Sequence, residues 1–392
     1  MRQYWWVWIV VVGVVAMVVV STVLWASGLR LCTASLDAGE AAGAAIGPAS
    51  TLAAKAQYCQ THVFSRHLQD GLIIGNETDP TGNVRHTSGN AGQHTACLLS
   101  ALSFQWALTG DSATRATAQE VAAALLKLEQ ITEVPGLTSR QYKMMQGPGP
   151  DEVESDWHQA GPYRWLGDVS TDEMTWYLTG LADYLMLCAE GEQRSQASAT
   201  IRRVVGRLLD YDMRITNADG SVTRYGDCSR ETPLEPLSCL HGLHYLKVGE
   251  LCSFQERFAD AYEEYIADQR YFENAVFCYK RNLVVGQWAS YDWQLAAPSF
   301  EFLIKFDKDP RRRAALTQGL MEMAAAPDAQ PYAHLVTALL GLGGTEKVRQ
   351  WLAEFDPNGA EFDPNGRDGD ELVWYLWVYW KARAGGIVTE KD

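Results

Sequence analysis

GPYRWLGDVSTDEMTWYLTGLADYLMLC, residues 161–188, is the stretch on which the reading of this chain turns. It opens as an aromatic, glycine-containing loop (Tyr163, Arg164, Trp165, Gly167, Asp168) and runs without a break into an apolar, helix-patterned segment from Thr171 to Cys188. Asp168, Asp172 and Glu173 cluster where loop becomes helix. A helix start offers free N–H groups and the positive end of the dipole, which suits both chemistry and simple capping. Ser170 and Glu173 fit the S-x-x-E capping box, with Asp172 in the first turn; Asp168 falls outside the helix.

Working outward, almost everything after residue 50 has helical period, and the connections alternate short and long. Helix pairs are expected at 91–109 with a partner to 131, 171–188 with 194–211, 237–251 with 254–268, 291–306 with 311–324, and 332–342 with 346–355. A last helix, 369–383, has no helical partner after it, and the unpaired first helix, 50–68, is placed to fill that vacancy and close a ring. The connections 132–170, 212–236, 269–290 and 356–368 are long. The second reads as a β-hairpin turning at Asp219-Gly220, and the last repeats FDPNG as two turns. The expected fold class is therefore all-α, an (α/α)6 toroid of six helical hairpins over residues 50–392. In such a ring all long loops gather at one mouth, beside the first turns of the inner helices, where function sits on a rigid scaffold.

Bulk properties bound the function. The chain has 392 residues, 47% of them hydrophobic, and a net charge of −15 with no basic cluster. A large core follows, and nucleic acid is excluded as a partner because phosphate neutralisation needs Lys/Arg stripes. Tyr4–Trp25 carries no charge over 22 residues, with Trp5, Trp6, Trp8 and Trp25 near its ends. It reads as a transmembrane signal anchor within residues 1–30, followed by an Ala/Gly-rich linker over 31–49. The body would then be periplasmic or at the cell surface. Eight cysteines fit that compartment; Cys228 and Cys239 are the expected disulfide. The sequence has no C-x-x-C pair, Walker loop, H-E-x-x-H or G-x-S-x-G, and Asp363–Glu371 departs from the EF-hand pattern, so neither metal nor cofactor is expected.

The mouth would gather Asn90 and His94, Asp168, Asp172 and Glu173, His241 and His244, Asp292 with Trp293, and Asp370, with Tyr163, Arg164, Trp165 and Arg224 contributed by the long loops. Paired carboxylates among aromatics equip a site for glycoside hydrolysis. Asp172, inside a helix start, suits the base or nucleophile; Asp168, three residues after Trp165, suits the acid. Glu173, Asp292 and His94 support them, and the remaining residues would bind substrate. Each has a plainer reading as well: helix-start stabilisation for Asp292 and Asp370, satisfied structural histidines for His241 and His244, packing for each ring.

GNAGQHTACLLSALSFQWALTGD (89–111), VPGLTSRQY (134–142), YRWLGDVSTDEMTWYLTGL (163–181) and ADGSVTRYGDCS (218–229) followed by LHGLHYLKVG (240–249) resemble, in order, segments of bacterial, mostly exported proteins of the (α/α)6-toroid, six-hairpin glycosidase-like superfamily. The most distinctive mark, W-x-G-D-x-S-x-D-[EQ], is carried here by Trp165, Gly167, Asp168, Ser170, Asp172 and Glu173. The resemblance implies the toroid and a carbohydrate substrate; glycoside hydrolases, polysaccharide lyases and sugar epimerases share the fold. Two alternatives to a hydrolase stand beside it. One is a lyase acting on a uronate glycan, with parts from Asn90, His94, Tyr163, Arg164 and Arg224. The other is a non-catalytic glycan-binding or assembly subunit of an envelope complex.

Overall fold

Two kinds of helix alternate along the chain, and their burial follows from their sequences. The structure is a computed structural model that describes residues 46–47, 49–74, 76–78, 84–86, 89–144, 156–231, 235–280, 292–357 and 368–392. Helix α1 spans Leu52–His62. Four helix–turn–helix units follow: α2 (Ala91–Thr109) with α3 (Ser112–Gln130), α4 (Thr171–Leu187) with α5 (Gly191–Asp210), α6 (Pro236–Ser253) with α7 (Glu256–Ala267) and α8 (Gln269–Val276), and α9 (Asp292–Phe306) with α10 (Pro310–Ala324). Then come α11 (Pro331–Leu339) with α12 (Thr345–Glu354), and finally α13 (Asp368–Ala384).

The first helix of each unit is apolar around its whole circumference and is buried accordingly. In α6 every residue from Pro236 to Gly249 is buried, and in α4 every one from Glu173 to Leu185. The second helices bury a single stripe, such as Ile201, Val204, Val205 and Leu208 of α5 or Phe258, Ala261, Tyr262 and Tyr265 of α7. An all-round apolar helix belongs inside and a striped one outside. Contacts among the inner helices run in a closed cycle: α2 to α4, α4 to α6, α6 to α9, α9 to α11, α11 to α13, and α13 back to α2. The α2–α4 crossing is close because Gly180 has no side chain; a Cβ there would stand 2.4 Å from the Ala96 carbonyl oxygen.

The outer partner of α13 is α1, as the ring closure requires. Lys55 of α1 is fully buried, and its Nζ donates to the Ala353 and Phe355 carbonyls at 2.5 and 2.9 Å. These are orphan carbonyls at the end of α12, so one buried lysine joins the start of the ring to its fifth unit. Residues 46–392 form one compact unit. No described helix is long and apolar enough to cross a membrane, and the anchor expected at Tyr4–Trp25 lies outside the described residues.

The long connections carry more β-structure than their sequences advertise. The hairpin expected around Asp219-Gly220 is present as β8 (Arg214–Thr216) and β9 (Val222–Asp227), with Gly220 in the left-handed region. The connection after α3 also holds a three-stranded antiparallel sheet of β5 (Gln141–Met144), β6 (Trp157–Ala160) and β7 (Tyr163–Leu166), with β7 in the middle. Lys143 and Arg164 share one face and Tyr142, Tyr163 and Trp165 the other, but each strand is only four residues long, too short for the alternation to stand out. Between α1 and α2, β1 (Leu68–Gln69) pairs with β2 (Leu72–Ile73), and β3 (Asn76–Thr78) with β4 (Val84–His86). The expected single helix over 50–68 ends at His62 and passes through a π-turn, and the partner of α6 breaks where Asp268 caps α8.

Two local expectations are corrected. The Ser170–Glu173 capping box is absent: the Ser170 hydroxyl makes no cap hydrogen bond, and Glu173 faces Arg140 instead. Cys228 and Cys239 are buried free thiols rather than a disulfide. Burial pushes the Cys228 thiol well up, which disfavours the thiolate that disulfide exchange requires.

Candidate functional site

The organiser of the expected mouth is a residue that sequence reasoning passed over. Arg140 precedes β5, and its main chain accepts from the Gly92 N–H at 2.8 Å and donates to Leu166 at 2.8 Å. Its guanidinium then spans the neighbouring elements. Nε donates to the Gly89 carbonyl at 2.7 Å, Nη1 to the Asp168 carbonyl at 3.0 Å, and Nη2 to Asn90 Oδ1. Glu173 Oε1 lies 3.8 Å from Nη2 with the side chain almost wholly buried. Arg140 thus fixes the starts of α2 and α4 against β7 with the planar fork that lysine lacks. Gly92 makes room, since a Cβ there would meet Glu173 Oε2 and the Arg140 carbonyl, both at 3.0 Å.

Asp168 holds a left-handed backbone (φ 51°), a conformation that costs energy for a residue with a side chain and concentrates at functional sites. It is held from three sides: its N–H donates to Asn217 Oδ1 at 3.2 Å, its carbonyl accepts from Arg140, and its Oδ1 accepts from the Arg224 N–H at 2.9 Å. That last bond brings the β8–β9 hairpin to the loop before α4, and with it the exposed pair Arg224 and Tyr225, whose guanidinium lies 5.0 Å from the ring centre. Asp172 is half-buried in the first turn of α4, and its carboxylate has no hydrogen-bond or ion-pair partner among the described residues.

Below this rim, the N-terminal halves of the inner helices put polar atoms among aromatic rings. His94 meets Trp374 edge-on at 5.9 Å, and Trp374 meets Trp176 at 4.8 Å. On the preceding residue of α4, the Thr175 hydroxyl is 2.9 Å from Tyr245 Oη, which also donates to the Thr171 carbonyl at 2.8 Å. His244 Nδ1 lies 3.4 Å from the Ser299 hydroxyl. Several of these groups are buried with no hydrogen-bond partner among the described residues: Gln93 Oε1, Trp176 Nε1, both ring nitrogens of His241 and Nε2 of His244. Burial pushes both histidines down to about 3, with His241 adding to the effect on His244, so both rings are neutral at pH 7. Burial likewise drives the Tyr245 hydroxyl far above the phenol range, with Cys228 and Asp172 adding to it against the Thr175 hydrogen bond.

The structure therefore draws Asn90, Asp168, Glu173 and Arg224 into one hydrogen-bonded and ion-paired assembly, with Asp172 on the same helix start. His94, His241 and His244 line the ring interior beneath it. Other expected site residues take packing roles. Trp165 is buried with its ring stacked on His158 at 4.1 Å, and Tyr163 packs under Lys127 Nζ, 3.6 Å from the ring centre. Arg164 lies over Trp157 on the same sheet. Trp293, only 1% exposed, packs on Tyr279 beside the buried Asp292, so its face is not offered to a substrate. Asp370 lies in the first turn of α13, where the backbone alone is described. Among the described residues no group of three or more His, Cys, Asp or Glu is placed to hold a metal ion.

Gln93, Arg140, Trp176 and Trp374 are members that sequence reasoning missed. Arg140 gave a faint signal, a lone cation closing the PGLTS turn; the others read as ordinary helix residues. Comparison with protein-family models, with curated proteins and with solved structures returned no match for this chain.

Proposed function

We propose that residues 50–392 are a six-hairpin (α/α)6 toroid held at the outer face of a membrane by Tyr4–Trp25, and that this domain hydrolyses a glycan. The observation that carries the reading is the set of buried polar atoms without protein partners in the first three turns of α2, α4 and α6, beside Trp374 and beneath the Asp172 carboxylate. Native proteins satisfy almost all such atoms, so their presence on three inner helices beneath the carboxylate rim supports a site there for a polyhydroxylated ligand. Sugar hydroxyls suit the half-buried Asn90, Asp168 and Asp172 at the rim, and the exposed Tyr225 offers a stacking face, while Trp176, His241 and His244 form the buried wall behind them.

In this reading Asp172, with no competing partner, is the base or nucleophile. Asp168 is the acid: one carboxylate oxygen is fixed by Arg224, while the other has no partner among the described residues. Arg140 is a positioning residue that holds both helix starts, and Arg224 with Tyr225 forms the outer platform. Water adds across the glycosidic bond, its proton passing through the base and the leaving oxygen taking the acid's proton. The test is a panel of neutral and acidic polysaccharides, read for new reducing ends and for near-ultraviolet absorbance. Reducing ends without absorbance support hydrolysis, absorbance supports the lyase alternative, and neither signal, with glycan binding intact, supports the binding-subunit alternative.

A further inference from the structure

A second site lies at the opposite end of the ring, among the short turns. A cleft of about 590 Å3, open solvent included, is lined by the last turns of α4, α9 and α13 and the later part of α2. Phe104, Met186, Phe302 and Phe306 supply most of its apolar wall. At its floor Glu301, 5% exposed, meets two ammonium groups: Lys305 Nζ donates to Oε1 at 2.5 Å, and Lys381 Nζ forms an ion pair with Oε2 at 2.6 Å. Asp183 is also buried there, its Oδ2 accepting from Ser100 at 2.5 Å, and Ser100 in turn accepts from Trp377 Nε1 at 3.1 Å.

The arrangement is lopsided. An ammonium group has three protons to donate. Lys381 is 96% buried, yet among the described residues it spends its donors on Glu301 alone and otherwise rests on the Phe104 and Trp377 rings at 5.0 and 4.8 Å. Lys305 shares the same carboxylate and is 40% exposed at the rim beside Met186. Two cations thus converge on Glu301, with Asp183 the second buried carboxyl of the cleft. Burial pushes the Asp183 carboxyl up despite Lys381, which weakens it as a second counter-charge. Burial alone would raise Glu301 as well, but the two lysines outweigh it and hold that carboxyl below its ordinary value. A buried, under-coordinated ammonium at the base of an apolar cleft is complementary to a negative head on an apolar body.

We propose that this cleft binds a small anionic amphiphile, a carboxylate carried on an alkyl body, with Lys381 and Lys305 taking the head group and the phenylalanines and Met186 taking the chain. The site is remote from the mouth and independent of the glycan reading. Octanoate is the probe: full-length protein is titrated calorimetrically with it, and in parallel with octanol and octyltrimethylammonium. Saturable, one-to-one binding of octanoate is expected, with octanol at least about tenfold weaker, the value of one charge-assisted hydrogen bond. Lys305→Gln, at the exposed rim, is expected to weaken octanoate about tenfold while leaving octanol unchanged. Lys381→Met is expected to abolish binding, and its melting curve shows whether it folds. Absence of saturable binding, equal affinity for octanol or the cation, or octanoate affinity unchanged by Lys305→Gln would each overturn the proposal.

Discussion

Replacing both interior histidines, His241→Leu with His244→Met, removes two rings whose titration the structure makes costly. Each is fully buried and held neutral, with its pKa down at about 3 against an ordinary 6.5. A base depressed in the folded state binds more protons when unfolded, so stability is complete above about pH 6.5 and falls as the pH drops toward 3. At 1.36 kcal/mol per pH unit, lowering the pH to about 5 costs about 2 kcal/mol for each ring, or about 4 for the pair. The leucine and methionine approximate the ring volumes and titrate nowhere in this range. Because His241 leaves both nitrogens unpaired, the double variant is expected to be at least as stable as the parent at pH 7.5. Urea unfolding at pH 7.5 and pH 5 measures the difference directly. The parent should lose about 4 kcal/mol more than the variant between those conditions. Equal losses would mean that the rings are solvated or already paired, and the dry inner wall on which the site rests would be wrong.

Three further outcomes follow from the same geometry. Arg140→Met removes the link between two helix starts and the guanidinium beside the buried Glu173; a loss of about 3 kcal/mol is expected in urea unfolding, and Glu173→Gln in the same chain should recover part of it. Gly180→Ala forces a Cβ to within 2.4 Å of the Ala96 carbonyl and should lower stability by about 2 kcal/mol, seen as a reduced melting temperature, whereas Gly110→Ala at an open helix end should cost about 1. Lys55→Met leaves the last carbonyls of α12 without their donor, so hydrogen exchange should quicken selectively in α12 and α1.

The order of the elements was legible because the inner and outer helices differ in kind. Segments such as Leu237–Leu251 are apolar all round, while Arg194–Tyr211 carries one stripe, and that contrast separates the two layers before any contact is seen. The hairpin at Asp219-Gly220 announced itself through turn chemistry. What stayed hidden depends on pairing across distance. Glu173 satisfies the capping-box spacing, yet Arg140, thirty-three positions earlier, draws it away, and no local rule weighs a remote guanidinium against the nearby Ser170 main-chain N–H. Trp165 and Trp293 were read as sugar platforms because an exposed ring and a core ring look the same in sequence; His158 and Tyr279 cover them. The charged cleft at the far end went unread for the same reason, since Asp183, Glu301 and Lys381 come from three inner helices and meet only when the ring closes.

The central claim is that the carboxylates at the start of α4 turn over a glycan, and Asp172→Asn tests it most directly. The variant removes one charge from a half-buried side chain that no described residue holds, so its unfolding free energy should match the parent within about 0.5 kcal/mol. Assayed beside the parent on the polysaccharide that the screen selects, it should release no reducing ends while still binding the glycan. Reducing ends released at the parental rate by a folded Asp172→Asn protein would contradict the account.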